Sequence, residues 1–165
     1  MKKLNNKGFS LVELIIVIAI MAILVGVVGT QVIPYLENSR KAKDVQILSA
    51  WNTAAVSAYS TEAGNLDSTK TYTILIDTTQ VKENSSPNPT GSDKLINTFC
   101  ALTDLVAGDG YNFENQMSSK SGKAIDEVQI TINGANGQVV TEVTSVDTGV
   151  YAKATVTDFD PIENK

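Results

Sequence analysis

The chain has 165 residues, a formal charge of −5, one cysteine and no histidine. With an N-terminal apolar segment set aside, that length leaves one domain of ordinary small size, and the acidic balance argues against nucleic-acid binding through the bulk surface. The missing histidine removes the commonest general base and metal ligand, and the lone Cys100 rules out an intramolecular disulfide.

Residues 1–8 (Met1-Lys2-Lys3-Leu4-Asn5-Asn6-Lys7-Gly8) carry three lysines and no acid. They read as a targeting element with no fold of its own. Residues 9–28 follow, a 20-residue run that is apolar almost throughout. At about 1.5 Å per residue, a helix of that length matches a hydrocarbon core of roughly 30 Å. The lysines ahead of it orient the N-terminus to the cytoplasm and everything after about Thr30 outward.

Glu13 breaks the apolar run. At the centre of a spanning helix an ionisable group costs about 2.5–3.5 kcal/mol, so it is assigned a partner and a function. Glu13 is shallow, about one turn in, and a helix N-terminus favours an anion by about 0.3–1 kcal/mol. Cleavage between Gly8 and Phe9 would supply the partner. It would free an α-amino group at Phe9, four residues ahead of Glu13, on the same helix or on a staggered neighbour. Pairing would neutralise both charges and fix the axial offset between copies, a register role well attested for buried charge pairs. Losing residues 1–8 removes three lysines, so the −5 of the whole chain becomes −8.

The stretch Lys7-Gly8-Phe9-Ser10-Leu11-Val12-Glu13-Leu14 resembles the processing site of type IV prepilins and of the related type II secretion pseudopilins. The resemblance covers roughly the first 25 to 30 residues. It implies that a membrane-embedded prepilin peptidase/N-methyltransferase cuts after Gly8 and methylates Phe9, and that Glu13 guides assembly. The implied partners are other pilin subunits in a homopolymer, the inner-membrane assembly machinery and, before assembly, the membrane. A secretory signal peptide is the rival reading. The apolar run is longer than the roughly 7–15 residues of such a segment, contains Glu13 and lacks a clear small-x-small exit. An uncut membrane anchor is the third. Many pilins close their C-terminal region with a disulfide that a single cysteine cannot make. Together with a second amphipathic helix, this suits a Gram-positive-type major pilin.

Ala19, Ala22, Gly26 and Gly29 recur at spacings of three and four, a row of small residues that permits close helix packing. Gly26, Gly29 and Pro34 then weaken the helix, an interior proline costing about 3 kcal/mol. A bend, or a stretch that loses its helical hydrogen bonds, is expected there. In many pilins a proline stands where Thr30 stands here and the helix unwinds upstream of it during assembly, so the site of any melting is open in this chain.

From Tyr35 to about Glu62 the pattern is amphipathic. Val45, Leu48, Trp51 or Asn52, Ala55, Ala58 and Tyr59 share a face, with Arg40, Lys43, Asp44, Gln46 and Ser49 between them. Arg40-Lys41-Ala42-Lys43 reads as a solvated or headgroup-facing helix end. Ala63-Gly64-Asn65 is the stop signal. A single helix of about 54 residues, some 80 Å long, is expected, its first half undocked in the monomer.

Residues 65–93 are a polar connection with one strand candidate at 71–76 and a surface loop at 83–92, which the resemblance makes a candidate for subunit contact. Leu95, Ile96, Phe99, Leu102, Leu105 and Val106 predict a second helix with a core-facing stripe. It is capped by Ser92 or Asp93 and stopped by Gly108-Asp109-Gly110, with Cys100 as a small core residue. Residues 128–132, 139–146 and 150–156 predict a three-stranded antiparallel meander. Its first turn is Asn133-Gly134-Ala135-Asn136-Gly137 and its second is Asp147-Thr148-Gly149.

The expected fold is α+β: a long N-terminal helix, transmembrane in its first half and amphipathic in its second, packed on a small antiparallel sheet. The divisions are a leader at 1–8, a transmembrane and polymerisation segment at 9–34, and a headgroup at 35–165. Cys100 has no histidine partner, Gly108-Asp109-Gly110 is too short for a phosphate loop, and Asp158 and Asp160 lack ligand spacing, so no enzyme, metal or cofactor is expected. A pilin subunit is the expected function, membrane-held as a precursor and extracellular in the filament. The alternatives are a major pseudopilin, or a minor pilin or anchored adhesin that binds a ligand or DNA.

Overall fold

Ser10 sets the start of the first helix. In the computed structural model, which describes residues 9–85, 89–144 and 162–163, Ser10 is extended at φ −71°, ψ 142° and caps α1 (Leu11–Val27). The leader at 1–8, part of the 83–92 loop, the expected turn at 147–149 and strand at 150–156, and Asp158 and Asp160 lie outside the described residues. The chain forms two compact units, one ending at Asn38 and the other beginning at Ser39.

In the first unit every residue of α1 is exposed. The helix widens into one π turn at Val28–Val32 and regains α geometry in α2 (Ile33–Glu62). The reason lies at Pro34. It has no N–H, so the Thr30 carbonyl four residues back lacks its usual donor, and an inserted residue in the ladder is one way a helix absorbs that loss. The Thr30 hydroxyl donates to the carbonyls of Gly26 (3.0 Å) and Val27 (3.4 Å). The helix thus stays hydrogen-bonded through this stretch, changing at 28–32 from α to π geometry in place of the expected bend or loss of helical hydrogen bonds.

In the second unit α2 buries Asp44, Leu48, Trp51, Asn52, Ala54, Ala55 and Ala58, while Val45 and Tyr59 are half-buried. Asp44 corrects the expectation of a solvated position, being fully buried. Its carboxylate accepts from the backbone N–H of Ser118 and of Ser119, each at 2.8 Å, and from the Ser119 hydroxyl. The same Ser119 oxygen accepts from Gly122 N–H at 2.9 Å, and a side chain at Gly122 would overlap the Asp44 carboxylate. Burying a carboxyl group is tolerable when it is hydrogen-bonded this fully. Asn52 is the second buried polar group on the helix. Its amide nitrogen donates to the carbonyls of Val139 (3.3 Å) and Ile162 (3.0 Å) and to the Thr141 hydroxyl (3.0 Å).

A 3₁₀ turn at Ala63–Asn65 ends the helix at the expected stop. Then come β1 (Thr71–Asp77), β2 (Val81–Glu83), α3 (Ser92–Thr103), the one-turn helices α4 (Phe113–Gln116) and α5 (Lys120–Lys123), β3 (Glu127–Asn133), β4 (Val139–Thr144) and β5 (Ile162–Glu163). The sheet order is β2-β1-β3-β4-β5, with every neighbouring pair antiparallel. The β3–β4 hairpin forms as expected, but β1 lies on the other side of β3, in register from Thr71 opposite Asn133 to Asp77 opposite Glu127. The partner on the far side of β4, among the described residues, is β5.

Strand alternation puts Tyr72, Ile74 and Ile76 of β1 and Val128, Ile130 and Ile132 of β3 in one core with Leu48 and Ala55 of α2 and Leu95 and Phe99 of α3. Each large apolar side chain removed from water contributes about 1.5–3 kcal/mol. Trp51, Tyr111 and Phe113 meet edge to face, successive ring centroids 4.9 Å apart.

The boundaries of α3 differ from expectation at both ends. Its cap is Gly91 at φ 87°, ahead of Ser92 and Asp93, and it stops at Asp104, left-handed at φ 58°, before Gly108 is reached. The early stop cuts the apolar stripe short. Leu95, Ile96, Phe99 and Cys100 are buried, whereas Leu102 and Val106 are exposed and Leu105 is half-buried. Burial pushes the Cys100 thiol up from its ordinary pKa, consistent with a core residue.

Candidate processing and assembly site

Two residues close a reciprocal box at the head of α1. The Glu13 carboxylate accepts the Ser10 backbone N–H at 2.8 Å, and the Ser10 side chain accepts from the first helical turn, with Val12 N–H at 3.4 Å. Leu14 N–H bonds the Ser10 carbonyl at 3.2 Å as the first helical rung. Serine at the cap and glutamate three residues on is the capping-box pattern, legible in Ser10-Leu11-Val12-Glu13, and it satisfies orphan donors that lipid could not. The sequence reading gave Glu13 only the Phe9 amine as a partner and missed this one.

The box has a consequence for the residues ahead of it. Phe9 stands outside the helix, its side chain 87 % exposed, one position before the cap. One Glu13 oxygen is turned back toward the N-terminal side of that cap, the side on which Phe9 lies. Gly8 lies outside the described residues. Ala19, Ala22, Gly26 and Gly29 are all exposed, and a Cβ built on Gly26 or Gly29 meets nothing within 4 Å, so the row of small residues is open. Among the described residues, no three His, Cys, Asp or Glu side chains gather where they could hold a metal ion.

The helical stretch Leu11–Asn65 includes a segment near the N-terminus that is long and apolar enough to cross a membrane. Residues 3–29 match the family model of the prokaryotic N-terminal methylation motif. That stretch holds Gly8, Phe9, Glu13 and the four small residues, and it implies processing by a prepilin peptidase and engagement by an assembly machinery. No curated protein and no solved structure matches the chain significantly. The motif heads a long helix that continues into an antiparallel α+β unit, an arrangement that supports a type IV pilin- or pseudopilin-like precursor.

Proposed function

We propose that the chain is a structural subunit, not an enzyme, that polymerises through α1 into a type IV pilus as a homopolymer. Prepilin peptidase cuts between Gly8 and Phe9, the new Phe9 amine is methylated, and the precursor waits in the cytoplasmic membrane with its C-terminal unit outside. Assembly moves α1 from lipid to a filament core. Its apolar residues stay out of water in both places, which makes the transfer feasible. The methylated Phe9 amine of one copy meets Glu13 of the next and sets the register, and Ala19, Ala22, Gly26 and Gly29 let neighbouring helices approach.

One observation carries this reading. The methylation motif leads a helix whose residues are all exposed, a surface too apolar to remain bare in water. The test is to shear surface material from cells and identify its main component. A pilus subunit dominates that material and forms filaments visible by electron microscopy, whereas a pseudopilin or scarce minor pilin does neither. In a Glu13→Ala strain the protein should accumulate in the membrane and the filaments should be lost. Normal filaments in that strain would remove the register role.

A further inference from the structure

A cleft of about 470 Å³ opens in the second unit between α2 and the segment that follows α3. Its lining includes Trp51 and Tyr111, whose side chains are nearly covered, 4 % and 9 % exposed. Neither the Trp51 indole N–H nor the Tyr111 hydroxyl has a hydrogen-bond partner among the described residues, and no fully buried side-chain polar atom lacks one. Both atoms therefore retain contact with solvent. Buried tryptophan and tyrosine normally spend these groups on the protein itself.

The rim adds acceptors. The Asp104 and Asp109 carboxylates and the Gln116 amide line the same cleft, are exposed and make no side-chain hydrogen bond among the described residues. Apolar surface completes it, with Leu105 half-buried and Val106 59 % exposed. A cationic ligand would be matched by acceptors alone. Here the lining residues carry an N–H and an O–H donor as well as carboxylates and apolar surface. That combination suits hydroxyl groups, which donate and accept at once, on a ring with C–H faces. The volume falls in the range of small-ligand sites.

We propose that this cleft is a binding site for a neutral saccharide, with Trp51 Nε1 and Tyr111 Oη donating to sugar oxygens and Asp104 and Asp109 accepting from sugar hydroxyls. The assignment stands whether or not the chain polymerises.

Trp51 is the chain's one tryptophan, so it reports on the site directly. The full chain, in a polyoxyethylene detergent free of sugar headgroups, is titrated with glucose, galactose, N-acetylglucosamine and lactose while tryptophan emission is followed. At least one of the four should give a saturable change. The Asp104→Asn/Asp109→Asn double variant and the Tyr111→Phe variant should each weaken binding about tenfold or more, the scale of a lost polar contact in a desolvated site. Asparagine tolerates the left-handed backbone at position 104, and phenylalanine keeps the ring packing, so the urea midpoint should not move. No saturable change with any of the sugars, unchanged affinity in both variants, or competition by butylammonium chloride would overturn the proposal.

Discussion

Asp44 and Ser119 are joined twice, the carboxylate on α2 accepting both the backbone N–H and the hydroxyl of a serine 75 positions later. With the Ser118 N–H, that makes three donors converging on one buried acid. Asp44→Ala would leave the buried Ser119 N–H and hydroxyl without their acceptor and the partly buried Ser118 N–H to water, and should destabilise the second unit by about 1–3 kcal/mol. Urea unfolding of the full chain in detergent measures it as a lower midpoint at unchanged slope. Gly122→Ala should destabilise as well, because its methyl group enters the space the carboxylate occupies.

The Asn52 amide ties α2 to both β4 and β5. Asn52→Leu should therefore loosen β5 more than the central strands. Hydrogen exchange should show lost protection across the pairs Val140–Glu163 and Thr141–Ile162, with β1 and β3 nearly unaffected. Equal loosening of all strands would contradict a local role.

Acid should weaken the fold through two turns that flank β1. At Asp77, burial pushes the carboxyl up, but hydrogen bonds from Thr79 Oγ1 and N (both 2.6 Å) and Gln80 N (2.8 Å), aided by Lys82, outweigh it and hold the pKa below the ordinary value. At Asp67 the backbone and side chain of Thr69, at 2.9 and 2.7 Å, do the same against a small burial effect, with help from Lys70. A folded pKa below the unfolded one stabilises above about pH 4 and loses that contribution as pH falls through the folded value. Carbon-detected NMR titration should place both carboxyls below ordinary aspartate, and Asp77→Asn should flatten the acid slope of stability. Ordinary or raised values would contradict the turn geometry.

Pro34→Ala restores a donor for the Thr30 carbonyl. It should replace the π turn at Val28–Val32 with regular helix and raise the local opening free energy by about 1–3 kcal/mol. Hydrogen exchange in micelles reads this as slower exchange over residues 28–34. Unchanged exchange would mean that the proline does not cause the wide turn.

Glu13→Gln separates the two roles of that side chain. Glutamine can still accept the Ser10 N–H and keep the capping box, but it carries no charge for the Phe9 amine. If charge sets the register, Glu13→Gln should lose filaments as Glu13→Ala does while α1 begins at the same residue. Full filament growth in the glutamine variant would assign the role to the box instead.

What could be read from the residues was what depends on near neighbours along the chain. The cleavage motif, the apolar span, the β3–β4 hairpin and the face of α2 from Leu48 to Ala58 each rest on a pattern a few residues long. Asp44 was not legible. An acid between Lys43 and Val45 reads as solvated, and the serines that hydrogen-bond it lie in a segment with no periodicity. Leu102 and Val106 were misplaced for a related reason. The spacing of Val106 continues the α3 stripe, but the left-handed Asp104 ends the helix first, and nothing in its neighbours announces that, while Leu102 lies in the last turn of α3 yet is exposed. The partner of β1 was also hidden, because a strand pattern gives the face that is buried but not the strand beside it.

The account depends on a free, methylated amine at Phe9. Mass spectrometry of the N-terminal peptide from sheared surface material tests it most directly. The predicted result is a peptide that begins at Phe9 with one added methyl group. A protein that still begins at Met1, or one that starts beyond the apolar segment, would contradict it.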